Sequence, residues 1–460
     1  MVLPAAVAPR ALRAIQQPIR QVTQKRGLAA AASGSFQYEQ GEAHSVQYAS
    51  RDLPSATTTL AVVARAGSRY QPLPGFSDAL EKFAFKSTMK RSALRITRES
   101  ELLGGELSAY HNRENLVLRA RFMKEDLPYF TELLAELISK TRYTSHELAE
   151  EVMHVMRLDQ KGLLASPLNM AMNSVHGVAF HHGLGTPTNA TSSSPFQKYI
   201  DAQAIADYSE AAYARKNIAV VANGADHQEL AKWVKEFFQD TKTASSVYTI
   251  KNEPTKYFGG EERIAHASGN VMILAFPGSS SFTSGQSFKP ELQVLAALLG
   301  GETSIKWSPG FSLLSKAAAD FPLAHVSTVN QAYTDAGLLT VTITGKSQDI
   351  AKASKAVVDA LKSVASGNVS DEDITKATAL AKFRALEAGQ QTQAGLEATG
   401  MGLISNKQPY QIDQLGDKIG KVTADQVKTA AKSLLDQKAA VSSVGDLFVL
   451  PWAEEIGLKV

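Results

Sequence analysis

The chain has 460 residues, 44% hydrophobic and 20% charged, with 48 Lys and Arg against 45 Asp and Glu and a net charge of +3. That length exceeds one ordinary hydrophobic core and predicts roughly two to four domains, while the balanced composition excludes a disordered or fibrous chain. The lack of cysteine excludes disulfides, thiolate zinc sites, iron–sulfur clusters and a cysteine nucleophile. No apolar run approaches the ~18 residues of a membrane-spanning helix.

The charge is unevenly spread. Arg10, Arg13, Arg20, Lys25 and Arg26 precede the first acid, Glu39, so residues 36–460 hold 43 bases against 45 acids, a net charge of −2. Leu12, Ile15 and Ile19 recur at helical spacing with the arginines off that stripe. An acid-free, arginine-spaced start rich in alanine, serine and glutamine predicts a mitochondrial transit peptide over residues 1–35. The stretch from Arg26 and Gly27 to Ser35 and Phe36 resembles a two-step cleavage region. A basic tail that binds an anionic surface is the alternative.

Further along, Thr59 to Ser68 is an apolar run closed by a Gly-Ser turn and reads as a buried strand, followed by a helix from Phe76 to Thr88. Glu114 to Phe122 alternates apolar and polar residues, the period of a half-buried strand, and leads into an amphipathic helix over 126–140. Ser145, with Glu147 behind it, predicts a capped helix start, and Ala219 to Gly224 a strand. The same order then recurs: a strand from Val271 to Ser279, a helix from Pro290 to Leu299, a strand from Gly337 to Ile343, a helix over 347–364, a helix start at Ser370 and a strand from Ala440 to Gly445. A common order at a slowly drifting offset of about 210 to 225 residues predicts a tandem duplication. The fold class is α+β, two duplicated halves, each a mixed sheet flanked by helices. The expected bounds are 36–245 for the first half, a polar linker over 246–262, and 263–460 for the second.

The first half contains Gly75-Phe76-Ser77-Asp78-Ala79-Leu80-Glu81-Lys82-Phe83-Ala84-Phe85-Lys86-Ser87-Thr88. This segment resembles the active-site helix of the mitochondrial processing peptidase and insulysin family, whose peptidases carry the inverted zinc motif H-x-x-E-H. The transit-peptide composition and the duplicated halves agree, and the resemblance covers the chain after residue 36. It implies two histidine ligands four residues apart, a glutamate base, and a more distant acidic ligand on a following helix. Here Asp78 and Lys82 stand at the histidine positions, Glu81 keeps the base, and the distant ligand falls at Asp159. A protonated lysine has no lone pair for a metal. The expectation is therefore a degenerate site with no metal and no catalytic residue, in which Asp78 and Lys82 form an i,i+4 ion pair worth about 0.2–0.5 kcal/mol. A hard-cation site built from Asp78, Glu81 and Asp159 would be crowded by Lys82.

Other candidates point to structure instead. His176, His181 and His182 have no acid nearby in sequence, and His146 and His154 lie too far apart to share a ligand. The pair Gly300-Gly301, ahead of Glu302, Thr303 and Ser304, lacks the lysine of a phosphate loop and reads as a helix end and turn. In the resembling family this region becomes a glycine-rich substrate loop in the non-catalytic processing-peptidase subunit; here Glu302, Ile305, Lys306, Trp307 and Pro309 interrupt it. With Ile305 to Leu314, this favours the core proteins of respiratory complex III (ubiquinol–cytochrome c reductase), and the chain resembles the fungal core protein 2 family. That resemblance implies a structural, non-enzymatic subunit without cofactors, peripheral to the inner mitochondrial membrane on its matrix side. It would pair with core protein 1 near cytochrome b and cytochrome c1. The alternative is the non-catalytic, substrate-binding subunit of the processing peptidase.

Overall fold

A strand that is apolar at nearly every position must be covered on both faces. In the computed structural model, which describes residues 37–191, 194–284, 287–301, 310 and 312–460, both such strands are. The expected leader with Arg26, Gly27, Ser35 and Phe36 lies outside the described residues, as do Glu302 to Pro309. Among the described residues the strands are β1 (Glu39–Ala43), β2 (Val46–Arg51), β3 (Thr57–Ala64), β4 (Glu106–His111), β5 (Leu116–Met123), β6 (Ile218–Asn223), β7 (Gly260–Ala265), β8 (Asn270–Pro277), β9 (Ala324–Ala332), β10 (Gly337–Gly345) and β11 (Ala440–Gly445).

They form two sheets, ordered β1-β2-β6-β3-β5-β4 and β7-β11-β8-β10-β9. Apart from the extra edge strand β1, the two orders superimpose. In each the first shared pair is parallel, β2 with β6 and β7 with β11, and the other shared pairs are antiparallel. The duplication read from the sequence is thus a duplication of topology.

Strand periodicity then divides the core. In β3, Leu60, Val62 and Ala64 face the first half's helices, packing with Leu118 of β5 and Leu133 and Leu134 of the Leu127–Lys140 helix. Ala61 and Val63 point the other way, against Leu396, Met401 and Leu403 of the Thr392–Asn406 helix, which belongs to the second half. In β8, Met272, Leu274 and Phe276 face the second half's own helices. Val271, Ile273 and Ala275 instead meet Ala171, Val175 and Phe180 of the Pro167–Phe180 helix, from the first half. Each half therefore lends one helix to the other's sheet.

Local differences from the sequence expectation have physical causes. The helix expected from Phe76 to Thr88 stops at Lys82. Phe85 adopts φ 64, and side chains from elsewhere take over the hydrogen bonding: Glu147 accepts from the Ser87 N–H, and the Thr88 hydroxyl bonds Glu136. Ser370 caps its helix as expected, accepting from the Asp373 N–H at 3.1 Å. Ser145 does not cap; Thr144 holds the N-cap position and its hydroxyl bonds Glu147. Strand β7 begins at Gly260, inside the stretch expected as linker. Upstream of it the connection is pinned, with Tyr248 packed 6.3 Å from the rings of both Phe76 and Tyr208.

Candidate functional site

The Phe76–Lys82 helix starts at Gly75, whose φ of 102° suits glycine, and Gln71 caps it by accepting from the Gly75 and Ser77 N–H groups at 3.1 and 3.2 Å. Its first five residues, Phe76, Ser77, Asp78, Ala79 and Leu80, are all buried, so the helix is enclosed on every side there. Glu81 and Lys82 lie at its edge toward the Met153–Ala165 helix, which bears Asp159. That helix is preceded by a π-helical turn, Leu148–Val152, the kind of local unwinding that resets the register of side chains beyond it.

The Lys82 ammonium is surrounded by carboxylates: Glu81 at 2.6 Å, Asp159 at 2.9 Å and Asp78 at 3.9 Å. The i,i+4 pair expected with Asp78 exists, but it is the longest of the three. A shorter bond goes to Asp159, the position expected for the distant ligand. A further residue joins the cluster that the sequence did not single out, His111 at the end of β4. Its backbone N–H donates to Glu81 at 2.9 Å, its Nδ1 bonds the same carboxylate, and its Nε2 lies 2.9 Å from the Thr188 carbonyl. Both ring nitrogens face acceptors, so the ring satisfies both only as the imidazolium.

Electrostatics follow from these contacts. Burial pushes the Asp78 carboxyl up to about 6, against the pull of His111 and Lys82, and neither of its oxygens has a hydrogen-bond partner. Burial acts the same way on Glu81, but the bonds from His111 and Lys82 outweigh it and hold the group below its ordinary value. Burial would lower both Lys82 and His111; Glu81, with Asp159 for the lysine, raises them instead.

Ligand atoms of Asp78, Glu81 and His111 lie within 4.8 Å of one another. The donor set nevertheless does not fit a zinc ion. The paired imidazoles are absent, Glu81 is engaged by His111, and the Lys82 ammonium supplies the positive charge that a dication would bring.

Beside this cluster lies a cavity of about 640 Å³ lined by residues of both halves, among them Arg113, Asp159, Asn173, His176, Tyr333 and Glu397. Arg113 is buried and donates to the Leu184 and Thr186 carbonyls and to Asn173. His176 donates from Nδ1 to the Met172 carbonyl at 2.6 Å, and its Nε2 lies 2.8 Å from the Tyr333 hydroxyl. Burial, then the nearby Arg113, holds this ring far below its ordinary value, hence neutral. His181 stacks on Phe258 at 4.0 Å, and His182, His146 and His154 are exposed. Gly300 ends the Pro290–Leu299 helix at φ 63, and the Gly301 N–H donates to the Ser312 hydroxyl at 3.0 Å, a helix end and turn.

The halves are joined at the cavity's edge by a buried ionic clasp. Arg69 holds both oxygens of Asp335 at 2.6 and 2.8 Å and Glu114 at 2.8 Å. Glu114 in turn accepts from the Thr334 N–H at 2.9 Å.

Comparison with known proteins agrees with this architecture. A family model described as insulinase (peptidase family M16) matches residues 47–192, and one described as the peptidase M16 inactive domain matches residues 199–380. The mitochondrial cytochrome b-c1 complex subunit 2 of Neurospora crassa is 49% identical over 448 residues, covering 97% of each chain. That of Schizosaccharomyces pombe is 36% identical, covering 91% of this chain and 95% of the relative. The mitochondrial-processing peptidase subunit alpha of Solanum tuberosum is more distant, at 24% identity over 89% of this chain and 82% of its own length. With its two M16 halves and its lysine-filled motif, the chain belongs to the insulinase-type M16 family, in the branch of the mitochondrial cytochrome b-c1 complex subunit 2 proteins.

Proposed function

We propose that this chain is a structural, non-catalytic core subunit of the cytochrome b-c1 complex, supporting assembly and stability of the ubiquinol–cytochrome c reductase. The observation that carries this reading is the Lys82 ammonium bonded to Glu81 and Asp159, which leaves the peptidase motif without metal ligands or a free base. On this reading Asp78, Glu81, Lys82 and Asp159 are the degenerate zinc-motif positions, stitched together by ion pairs. Stability of the joined halves supports a scaffold, because a partner surface is useful only on a body that does not rearrange.

The chain would lie on the matrix side of the inner membrane, paired with core protein 1 and next to cytochrome b and cytochrome c1. No helix among the described residues is long and apolar enough to cross a membrane, in keeping with a peripheral position. Residues 1–35 would direct import and be removed near Phe36, leaving a first domain over 36–245, a linker from 246, and a second domain that takes in strand β7 from Gly260.

Purification from detergent-solubilised inner membrane tests the assignment. Co-migration with the haem spectra of cytochromes b and c1 is expected. Recovery as a soluble, zinc-dependent heterodimer that cleaves presequences would overturn it in favour of a processing-peptidase subunit.

A further inference from the structure

After β11 the chain makes a turn, Asp446-Leu447-Phe448-Val449-Leu450-Pro451-Trp452, that buries Leu450 but places three large side chains in water. Phe448 is 102% exposed, Trp452 55% and Val449 37%. An isolated exposed apolar side chain is ordinary, but three within five residues, two of them aromatic, form a patch.

The turn is held from beneath. Arg263 of β7, itself buried, donates to the carbonyls of Leu447 and Leu450 at 2.8 Å and of Pro451 at 2.9 Å, and its guanidinium lies 4.1 Å from the Trp452 ring centre. Asn270 accepts from the Asp446 N–H at 2.8 Å, Asp446 from Phe448 at 3.2 Å, Glu455 from Trp452 at 2.9 Å and Glu261 from Ala453 at 3.0 Å. With the backbone fixed this way, the turn cannot fold over to hide the rings. Aromatic groups on a fixed backbone lose little freedom on binding, which is the character of an interface anchor.

Charge selects the kind of partner. Residues 446–455 carry Asp446, Glu454 and Glu455 and no lysine or arginine. An anionic bilayer surface would repel this rim, whereas a protein socket edged by basic side chains complements it. We infer that the turn is a docking surface whose Phe448 and Trp452 enter an apolar socket, rimmed by Lys or Arg, on another subunit of the assembly. This rests on the proposal that the chain is a complex subunit.

The experiment uses the tagged full chain expressed in mitochondria as wild type, Phe448→Glu and Trp452→Ala, with co-purified cytochrome b and c1 haem as the readout. Wild type is expected to recover haem, and Phe448→Glu about thirtyfold less in competition with it. The isolated Phe448→Glu variant should melt with wild type, because Phe448 is wholly exposed. Oxidative footprinting of the wild-type assembly should show the 446–455 peptide protected relative to the released chain. If wild type recovers haem but Phe448→Glu recovers as much and the peptide is unprotected, the docking surface is refuted while the subunit assignment stands. If wild type recovers no haem, both fall. If wild-type chain floats with protein-free phosphatidylcholine–cardiolipin vesicles and Phe448→Glu does not, the patch is a lipid contact and the inference is overturned.

Discussion

The Lys82 ammonium lies 2.9 Å from the carboxylate of Asp159, which joins the helix of the degenerate peptidase motif to the helix that would carry its distant ligand. The lysine does the electrostatic work of a bound cation: it holds together carboxylates that would otherwise repel one another in a partly buried space. The pair thus acts as a joint between the two helices.

Removing that charge should be costly. Lys82→Ala leaves Glu81, Asp78 and Asp159 facing one another with His111 alone as counter-charge. The lysine is partly exposed, so the expected loss is about 2 kcal/mol rather than the full cost of a broken buried pair. The variant also opens space among Asp78, Glu81 and His111. Added Mn²⁺ should raise its melting temperature and leave that of the wild type unchanged, as read by thermal-shift titration.

Asp78 should limit stability near neutral pH. Burial raises its carboxyl from 3.8 to about 6 in the folded chain, so the folded state holds the proton more tightly than the unfolded one. Stability from this group is therefore complete below about pH 4 and falls as pH rises toward 6, after which the charged form is a constant cost on the order of 3 kcal/mol. Asp78→Asn should be more stable than wild type at pH 7.5 and equal to it at pH 4. Denaturant melts at the two pH values that gave the same difference would contradict this.

His176 acts in the opposite direction. It is neutral when folded and held well below 6.5, so the unfolded chain gains a proton as pH drops through 6.5 while the folded chain does not. Stability should decline by about 1.4 kcal/mol per pH unit below that point. His176→Gln should flatten the pH 5–6.5 limb of the stability curve, whatever it costs at pH 8.

The clasp should couple the halves. Asp335→Ala leaves the buried Arg69 with Glu114 as its carboxylate partner and should cost about 2 kcal/mol, moderated by the partial exposure of Asp335. A double-mutant cycle with Arg69→Met should return a coupling energy above about 1 kcal/mol in urea unfolding. Additivity of the two substitutions would show that the contact contributes nothing.

The exchanged helix offers a steric test. A Cβ added at Gly400, in the Thr392–Asn406 helix, would sit 2.5 Å from a methyl of Val63 in β3. Gly400→Val should therefore cost about 3 kcal/mol through overpacking. Gly162 also lies in a helix, but its added Cβ would meet nothing within 4 Å, so Gly162→Ala should gain about 0.5–1 kcal/mol.

Much of this was legible in sequence because it is periodic or local. The apolar runs around Leu60 and Leu274 identify strands covered on both faces, and Ser370 marks a helix start through a cap that acts within three residues. Set against the motif of the family that the chain resembles, Asp78 and Lys82 stand where histidines are expected, and a protonated lysine offers a metal no lone pair. His111 was not legible: it meets Glu81 across the sheet, and no spacing rule links the end of a strand to a helix thirty residues earlier. The dominance of Asp159 over Asp78 as partner of Lys82 was hidden for the same reason, since it depends on how two helices sit side by side.

The sequence by itself determined the duplicated α+β plan and the near-neutral body behind a basic start, because these depend on composition and period, and its family resemblance pointed to Asp78 and Lys82 as the replaced metal donors. Tertiary structure alone decided which helix covers which sheet, and so the exchange of the Pro167–Phe180 and Thr392–Asn406 helices. It also decided that His111 joins Glu81 at this site, and that Asp159 lies nearer to Lys82 than Asp78 does. A two-sided apolar strand specifies that both faces be buried but carries no information on the source of the cover; close packing of particular side chains, such as Gly400 against Val63, makes that choice.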